Sequence, residues 1–280
     1  MHHRFTAVPI RIPTIFLLAA MLALLAFVPS AHALENPKVF RGILILEGQI
    51  VPRDYDKLRS FLSDRATFDK ISHGVFLASP GGNVAEAMNI GRLIRSLRLS
   101  TEAPPGGADL RRLGGNAIAP DDLRDFRNYG CASACFLVFV SGIYRNENGA
   151  GRLGVHRPFR AGSGSKTPAA GDDPIVDGAV RAAIKNYLSE MDAPPKYADL
   201  MFAVPSARVR WITQHELDTD LDGLIPELKD AVARQCGASV EAAAAQQPHD
   251  LASCQMDAQW RLRSELPAQA WPKVFGASGR

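Results

Sequence analysis

The run GCASACF (130–136) sets a serine, Ser133, between Cys131 and Cys135 at the mouth of the apolar stretch FLVFV. A hydroxyl in that place has two uses. It can cap the first turn of a buried helix by accepting a backbone N–H, or it can be a nucleophile. The second use needs a base to take its proton and fixed donors to receive the charge that develops on an attacked carbonyl oxygen. Ala134, the next residue, offers a backbone amide in the first turn of that helix, where N–H groups have no partner within the helix. Gly82, in the turn SPGG (79–82), offers another, because a residue without a side chain lets backbone approach a substrate closely.

Few bases are available. Past residue 33 the chain has four histidines, His73, His156, His215 and His249. His156 closes the strand candidate GAGRLGVHRPF (149–159), which follows the serine segment closely enough for the two to pack side by side. Each feature alone has a plainer use, since such serines are mostly caps, Gly-Gly pairs mostly turns and lone histidines mostly structural. Their ordered occurrence in one stretch of chain is what favours a hydrolytic site. Neither cysteine pair has zinc-ribbon spacing, and no cofactor is implied.

The elements that must hold these residues begin after an address. Arg4 and Arg11 precede the fourteen-residue apolar run IFLLAAMLALLAFV (15–28), shorter than the roughly 20 residues a membrane-spanning helix needs. Ala31 and Ala33 in AHA stand where a signal peptidase reads small residues, so residues 1–33 read as a cleaved signal peptide and the remaining 247 of the 280 as an exported protein of the periplasm. Without Arg4 and Arg11 the formal charge falls from +3 to +1, which gives no electrostatic case for a nucleic-acid partner. All four cysteines lie in the exported part, where disulfides are permitted. Cys236 and Cys254 suit a staple between two helices. Cys131 and Cys135, spaced i, i+4, are within bridging reach of each other at about 6 Å between Cα atoms, yet the same spacing suits two small buried residues.

Apolar runs alternate with helical ones, the pattern of an α/β domain. VFRGILILEGQI (39–50) reads as a buried strand and DYDKLRSFLSD (54–64) as a helix. HGVFLASPGG (73–82) reads as a strand ending in a glycine turn. NVAEAMNIGRLIRSL follows as a helix with Val84, Ala87, Met88, Gly91 and Ile94 on one face. RLSTEAP (98–104) is β-like, and residues 104–128, with two Gly-Gly pairs and three prolines, read as a surface insertion. A Gly, Ser and Pro stretch (161–174) precedes the amphipathic helix IVDGAVRAAIKNYLSEM (175–191), and the Ala- and Gln-rich region 230–280 reads as a helical appendage to a domain over 34–229.

Taken in order, LEGQI, SPGGNVAEAMNI, GCASACFLVFVSG, GVHRP and RWITQHELDTDLDGLI make residues 39–225 resemble the proteolytic subunit of the Clp serine protease, within the Clp and crotonase superfamily, and especially its secreted relatives. That resemblance implies a Clp/crotonase-like ββα superhelix with Ser133 as nucleophile, His156 as base, and Gly82 and Ala134 as the oxyanion hole. It implies peptide or unfolded-protein substrates and a possible homo-oligomer. One departure stands out. The family's aspartate precedes an Arg-aromatic pair, and here Val209 precedes Arg210 and Trp211, with Ser206 the nearest polar residue and Asp199 the nearest upstream acid. Loss of an orienting carboxylate can cost about 10⁴-fold in turnover while leaving geometry intact. Two functions therefore follow: an ATP-independent serine peptidase, since no ATPase partner is expected outside the cytoplasm, or an inactive module that binds peptide or protein in the same cleft.

Overall fold

The structure is a computed structural model that describes residue 34 and residues 36–104, 130–147, 153–158, 174–206, 208–236 and 248–276. Residues 1–33, which the sequence reads as a signal peptide, residues 105–128 of the expected insertion and residues 161–173 of the Gly, Ser and Pro stretch lie outside them.

The first apolar run is a hairpin and not one strand. β1 (Lys38–Phe40) and β2 (Ile43–Glu47) pair antiparallel about Arg41 and Gly42, whose φ values of 47° and 82° make the tight turn. α1 (Asp54–Ser63) and α2 (Arg65–Phe68) cross over to β3 (Gly74–Ala78), parallel to β2 and buried along its whole length, as a strand covered on both faces must be. α3 (Val84–Ser96) starts at Asn83, whose side chain accepts the Glu86 amide at 2.9 Å, and it returns the chain to β4 (Thr101–Ala103), parallel to β3. Ala87, Ile90, Gly91, Leu93 and Ile94 form the buried stripe of α3, with Val84 and Met88 partly buried against the core.

After residue 130 the chain makes β5 (Cys131–Ala132), α4 (Ala134–Phe139) and β6 (Tyr144–Glu147). α4 is apolar all round and buried on every side, so it runs through the core and not over the surface. β7 (Leu153–Val155), α5 (Pro174–Glu190), α6 (Lys196–Ala203), β8 (Arg210–Trp211), α7 (Gln214–Glu216), β9 (Gly223–Leu224), α8 (Pro226–Cys236) and α9 (Pro248–Phe275) complete the order. A six-stranded sheet runs β1-β2-β3-β4-β6-β9, parallel at its centre and antiparallel at both edges, and a three-stranded one runs β5-β7-β8. The molecule is a mixed α/β domain.

The C-terminal helices are tied into it. Cys236 of α8 is bonded to Cys254 of α9, with the Cα atoms 5.8 Å apart. Farther along α9, Trp271 is 3% exposed and donates its indole N–H to the Leu62 carbonyl at 2.9 Å. Its ring packs with Phe68 and Phe275.

Candidate active site

The two sheets meet at the site. Ser79, just past β3, bridges Cys131 of β5: the Ser79 amide donates to the Gly130 carbonyl at 3.2 Å and the Ala132 amide to the Ser79 carbonyl at 3.0 Å. β5 in turn runs parallel to β7, with Ala132 opposite Gly154. The ends of β3, β5 and β7 therefore open together, at the carboxyl ends of parallel strands where α/β folds keep their crevices.

Ser133 stands at the turn from β5 into α4. Its side chain makes no capping bond to that helix, so the capping use of this hydroxyl is not the one the fold adopts. Its backbone is held instead at φ 58°, ψ −123°, a region that L-residues rarely enter and that costs on the order of 1–3 kcal/mol. Two bonds fix it there: the Ser133 amide donates to the Gly154 carbonyl at 2.9 Å, and the Phe136 amide donates to the Ser133 carbonyl at 3.0 Å. A strand-to-helix turn of this strain lifts a hydroxyl out of the sheet. The disulfide Cys131–Cys135 closes over it, Cα to Cα 5.2 Å, with both cysteines buried, so bridging is the one of the two readings that holds.

The glycine turn lies directly against the serine. A Cβ built on Gly81, whose φ is +94°, would come within 2.6 Å of Ser133 Cβ and 2.8 Å of the Ala134 amide nitrogen. Only glycine fits. The Gly81 amide is occupied by the Ser79 hydroxyl at 3.0 Å. Gly82 bridges Ile50 through its neighbours, the Ile50 amide donating to the Gly81 carbonyl at 2.8 Å and the Asn83 amide to the Ile50 carbonyl at 2.9 Å. The Gly82 and Ala134 amides have no acceptor among the described residues.

His156 directly follows β7, one strand over from Ser133, and the two leave adjacent parallel strands at the same end. The serine is 7% exposed and the histidine 8%, so both are largely dehydrated and still reachable. His156 Nδ1 lies 2.9 Å from the Arg157 carbonyl oxygen. A carbonyl only accepts, so Nδ1 carries the proton and Nε2 becomes the accepting nitrogen of the neutral ring. Of the other histidines, His73 and His215 are exposed on other elements, and the side chain of His249 is outside the described residues.

β8 pairs antiparallel with β7, Val155 opposite Arg210 and Gly154 opposite Trp211. Val209, the residue before Arg210, sets its Cγ1 2.5 Å from where a Gly154 Cβ would stand, so an aliphatic side chain fills the space over that glycine at the position where the Clp resemblance expects a carboxylate. Asp199 is committed elsewhere, 2.8 Å from Lys185 and 3.8 Å from Arg181 on the exposed side of α6. Ser206 is half-buried in the segment after α6.

Three residues of this arrangement escaped the reading of the sequence. Gly81, and not Gly82, makes the close approach to Ser133. Ser79 orients the glycine turn, which a serine two residues ahead of a glycine signals. Arg157 supplies the acceptor for His156.

No protein-family model matches the chain, and no curated protein does. Among solved structures it is similar to the 1510-N membrane-bound stomatin-specific protease in a serine-to-alanine mutant, at 15% identity and TM-score 0.43 over 69% of this chain and 83% of that one. It is similar also to a lysine-to-alanine mutant of the same protease in complex with a substrate peptide, at 15% identity and TM-score 0.43 over 69% of this chain and 78% of that one.

Proposed function

We propose that this chain is an ATP-independent serine peptidase of the periplasm, built on a Clp/crotonase-like superhelix, with Ser133 as nucleophile and His156 as general base. The observation that carries the reading is the uncapped, strained Ser133 set between the glycine turn and the strand that His156 directly follows. A hydroxyl that only served the helix would cap it and would need no positive φ.

In the reaction so assigned, His156 Nε2 takes the Ser133 proton as Oγ attacks the peptide carbonyl carbon. The C=O electrons move onto oxygen, and that oxyanion is held by the Gly82 and Ala134 amides. Collapse breaks the C–N bond, and the departing amine takes the proton from Nε2. Water, deprotonated by the same nitrogen, then cleaves the acyl-serine and restores the hydroxyl. Substrates are peptides, extended tails or already unfolded chains, which can lie beside a short sheet edge as an added strand. The export signal supports the periplasm and the absence of an ATP-driven partner.

A second reading, a non-catalytic module that holds peptide in the same cleft, is favoured by Val209 at the place where the Clp pattern has its aspartate. Fluorophosphonate labelling separates the two. The peptidase labels at Ser133, loses labelling in Ser133→Ala and labels about a hundredfold more slowly in His156→Ala, at the low end of what a positioned base contributes, about 10²–10⁴. Folded protein that takes no label is the binding module.

A further inference from the structure

Where the Clp pattern sets an aspartate against the histidine Nδ1, here Nδ1 meets the Arg157 carbonyl oxygen at 2.9 Å. We propose that the backbone carbonyl of Arg157 takes the orienting role that this pattern gives to an aspartate, and that the Arg157 side chain is the positioning residue that holds this carbonyl in place. The inference rests on the hydrolase reading for its consequence in rate, but not for its geometry.

Three constraints converge on that carbonyl. The first is Pro158, whose ring disfavours the helical region for the residue before it and so narrows the directions open to the Arg157 C=O. The second is the Arg157 amide, which donates to the Val204 carbonyl at 2.9 Å. The third is the guanidinium, which reaches back to the end of α6 and donates to the Phe202 carbonyl twice, from Nε at 3.1 Å and from Nη2 at 2.8 Å. α6 is anchored in the core by Tyr197, Ala198, Met201 and Phe202, all at most 1% exposed, so the clamp refers the carbonyl to a rigid element. The acceptor is then 2.9 Å from Nδ1 and cannot swing away without breaking contacts to two residues of the α6 end.

A carbonyl selects the tautomer as a carboxylate does, but carries no full charge to stabilise the imidazolium that forms during attack. The site should therefore be oriented correctly and be slow. A carboxylate introduced at Val209, next to the Arg210 that pairs with Val155, would supply both terms.

The test uses the full exported chain and two readouts. Nitrogen-15 NMR of the neutral imidazole should show the proton on Nδ1 in the wild type, a result that needs no variant to fold and no activity. Arg157→Ala should mix in the Nε2–H form and slow fluorophosphonate labelling by about 10- to 100-fold, the scale of a displaced catalytic group. Adding Val209→Asp to that variant should restore most of the rate and move the acid limb of the labelling profile to higher pH, because a neighbouring carboxylate favours the charged ring. A purely structural Arg157 would show neither the tautomer change nor the rescue. Finding the proton on Nε2 in the wild type, or wild-type labelling and tautomer in Arg157→Ala, overturns the proposal. Wild-type protein with the Nδ1 tautomer and no labelling keeps the orienting carbonyl and overturns the peptidase.

Discussion

The two halves of the site are held by different forces. On the serine side, a wholly apolar helix, a buried disulfide and a glycine with no room for a methyl group add packing to the backbone bonds that hold the turn. On the histidine side, β7 is followed by a loop pinned through polar contacts: Arg157 to Phe202 and Val204, and Nδ1 to the Arg157 carbonyl. Packing tolerates no change in volume, whereas a polar clamp tolerates a change of volume but not of donor count. The serine half should fail by distortion and the histidine half by disorientation.

The sharpest way to break this contrast is Gly81→Ala. Its new methyl would press on the Ala132 carbonyl oxygen at 2.6 Å as well as on Ser133 and Ala134, and its φ of +94° is strained for any side chain. We expect a loss of roughly 2–4 kcal/mol in stability from strain and overpacking together. Labelling at Ser133 should fall by about 10²-fold or more from displacement of the reacting group. Urea unfolding and the labelling rate check both. Normal values for both would mean that the glycine turn does not set the serine.

The same contrast explains what could be read from the residues. The serine half is written in consecutive letters, because packing constraints demand particular side chains at particular places: small residues at 132 and 134 and apolar ones through Phe139, with the glycine that packs on them one place earlier than the one singled out. His156 stood out as the candidate base because it closes the strand that follows the serine segment. What orients it did not, because any residue carries a carbonyl, and only Pro158 hinted that this one is fixed. Elsewhere, β6 went unread since Tyr-Arg-Asn-Glu has no strand signature, yet Arg145 is 4% exposed there. Its guanidinium donates to the Met191 and Asp192 carbonyls past the end of α5, and burial lowers its pKa to about 10. The hairpin in 39–50 went unread because a non-glycine residue, Arg41, takes the first left-handed position of the turn. The long α3 stripe was readable almost in full, since a helix of thirteen residues repeats its signal.

The two disulfides sharpen the comparison, because stability and activity should rank them in opposite order. Cys236–Cys254 spans 18 positions and Cys131–Cys135 spans 4. On the loop-entropy model their removal costs about 3 and about 2 kcal/mol respectively. The Cys236→Ser, Cys254→Ser pair should therefore lower the unfolding midpoint more and leave the labelling rate of the folded fraction near wild type. The Cys131→Ser, Cys135→Ser pair should lower the midpoint less and slow labelling several-fold, because its closure lies over Ser133. Equal labelling rates in the two variants would remove the disulfide from the list of what holds the serine turn.

The smallest expected effect tests the strand behind His156. β8 is anchored by Arg210, whose fork meets the Glu216 carboxylate at 2.7 and 2.8 Å, and that carboxylate also accepts the Thr213 amide at 2.9 Å in a capping box. These bonds, the Arg210 fork foremost, hold the Glu216 pKa down to about 2, from 4.5. A carboxyl depressed in the folded state contributes stability that is complete above its unfolded pKa and is lost as pH falls through the folded one. The window is thus between about 4.5 and about 2. With the two side chains 35% and 21% exposed, solvent screens the pair, and Glu216→Gln should cost about 1–2 kcal/mol at neutral pH. Urea unfolding of both proteins should show that difference shrinking as pH falls through the window, other acids cancelling because the two chains share them. A difference that stays constant with pH would mean that packing by residue 216, and not its charge, holds β8 against the strand that carries the histidine.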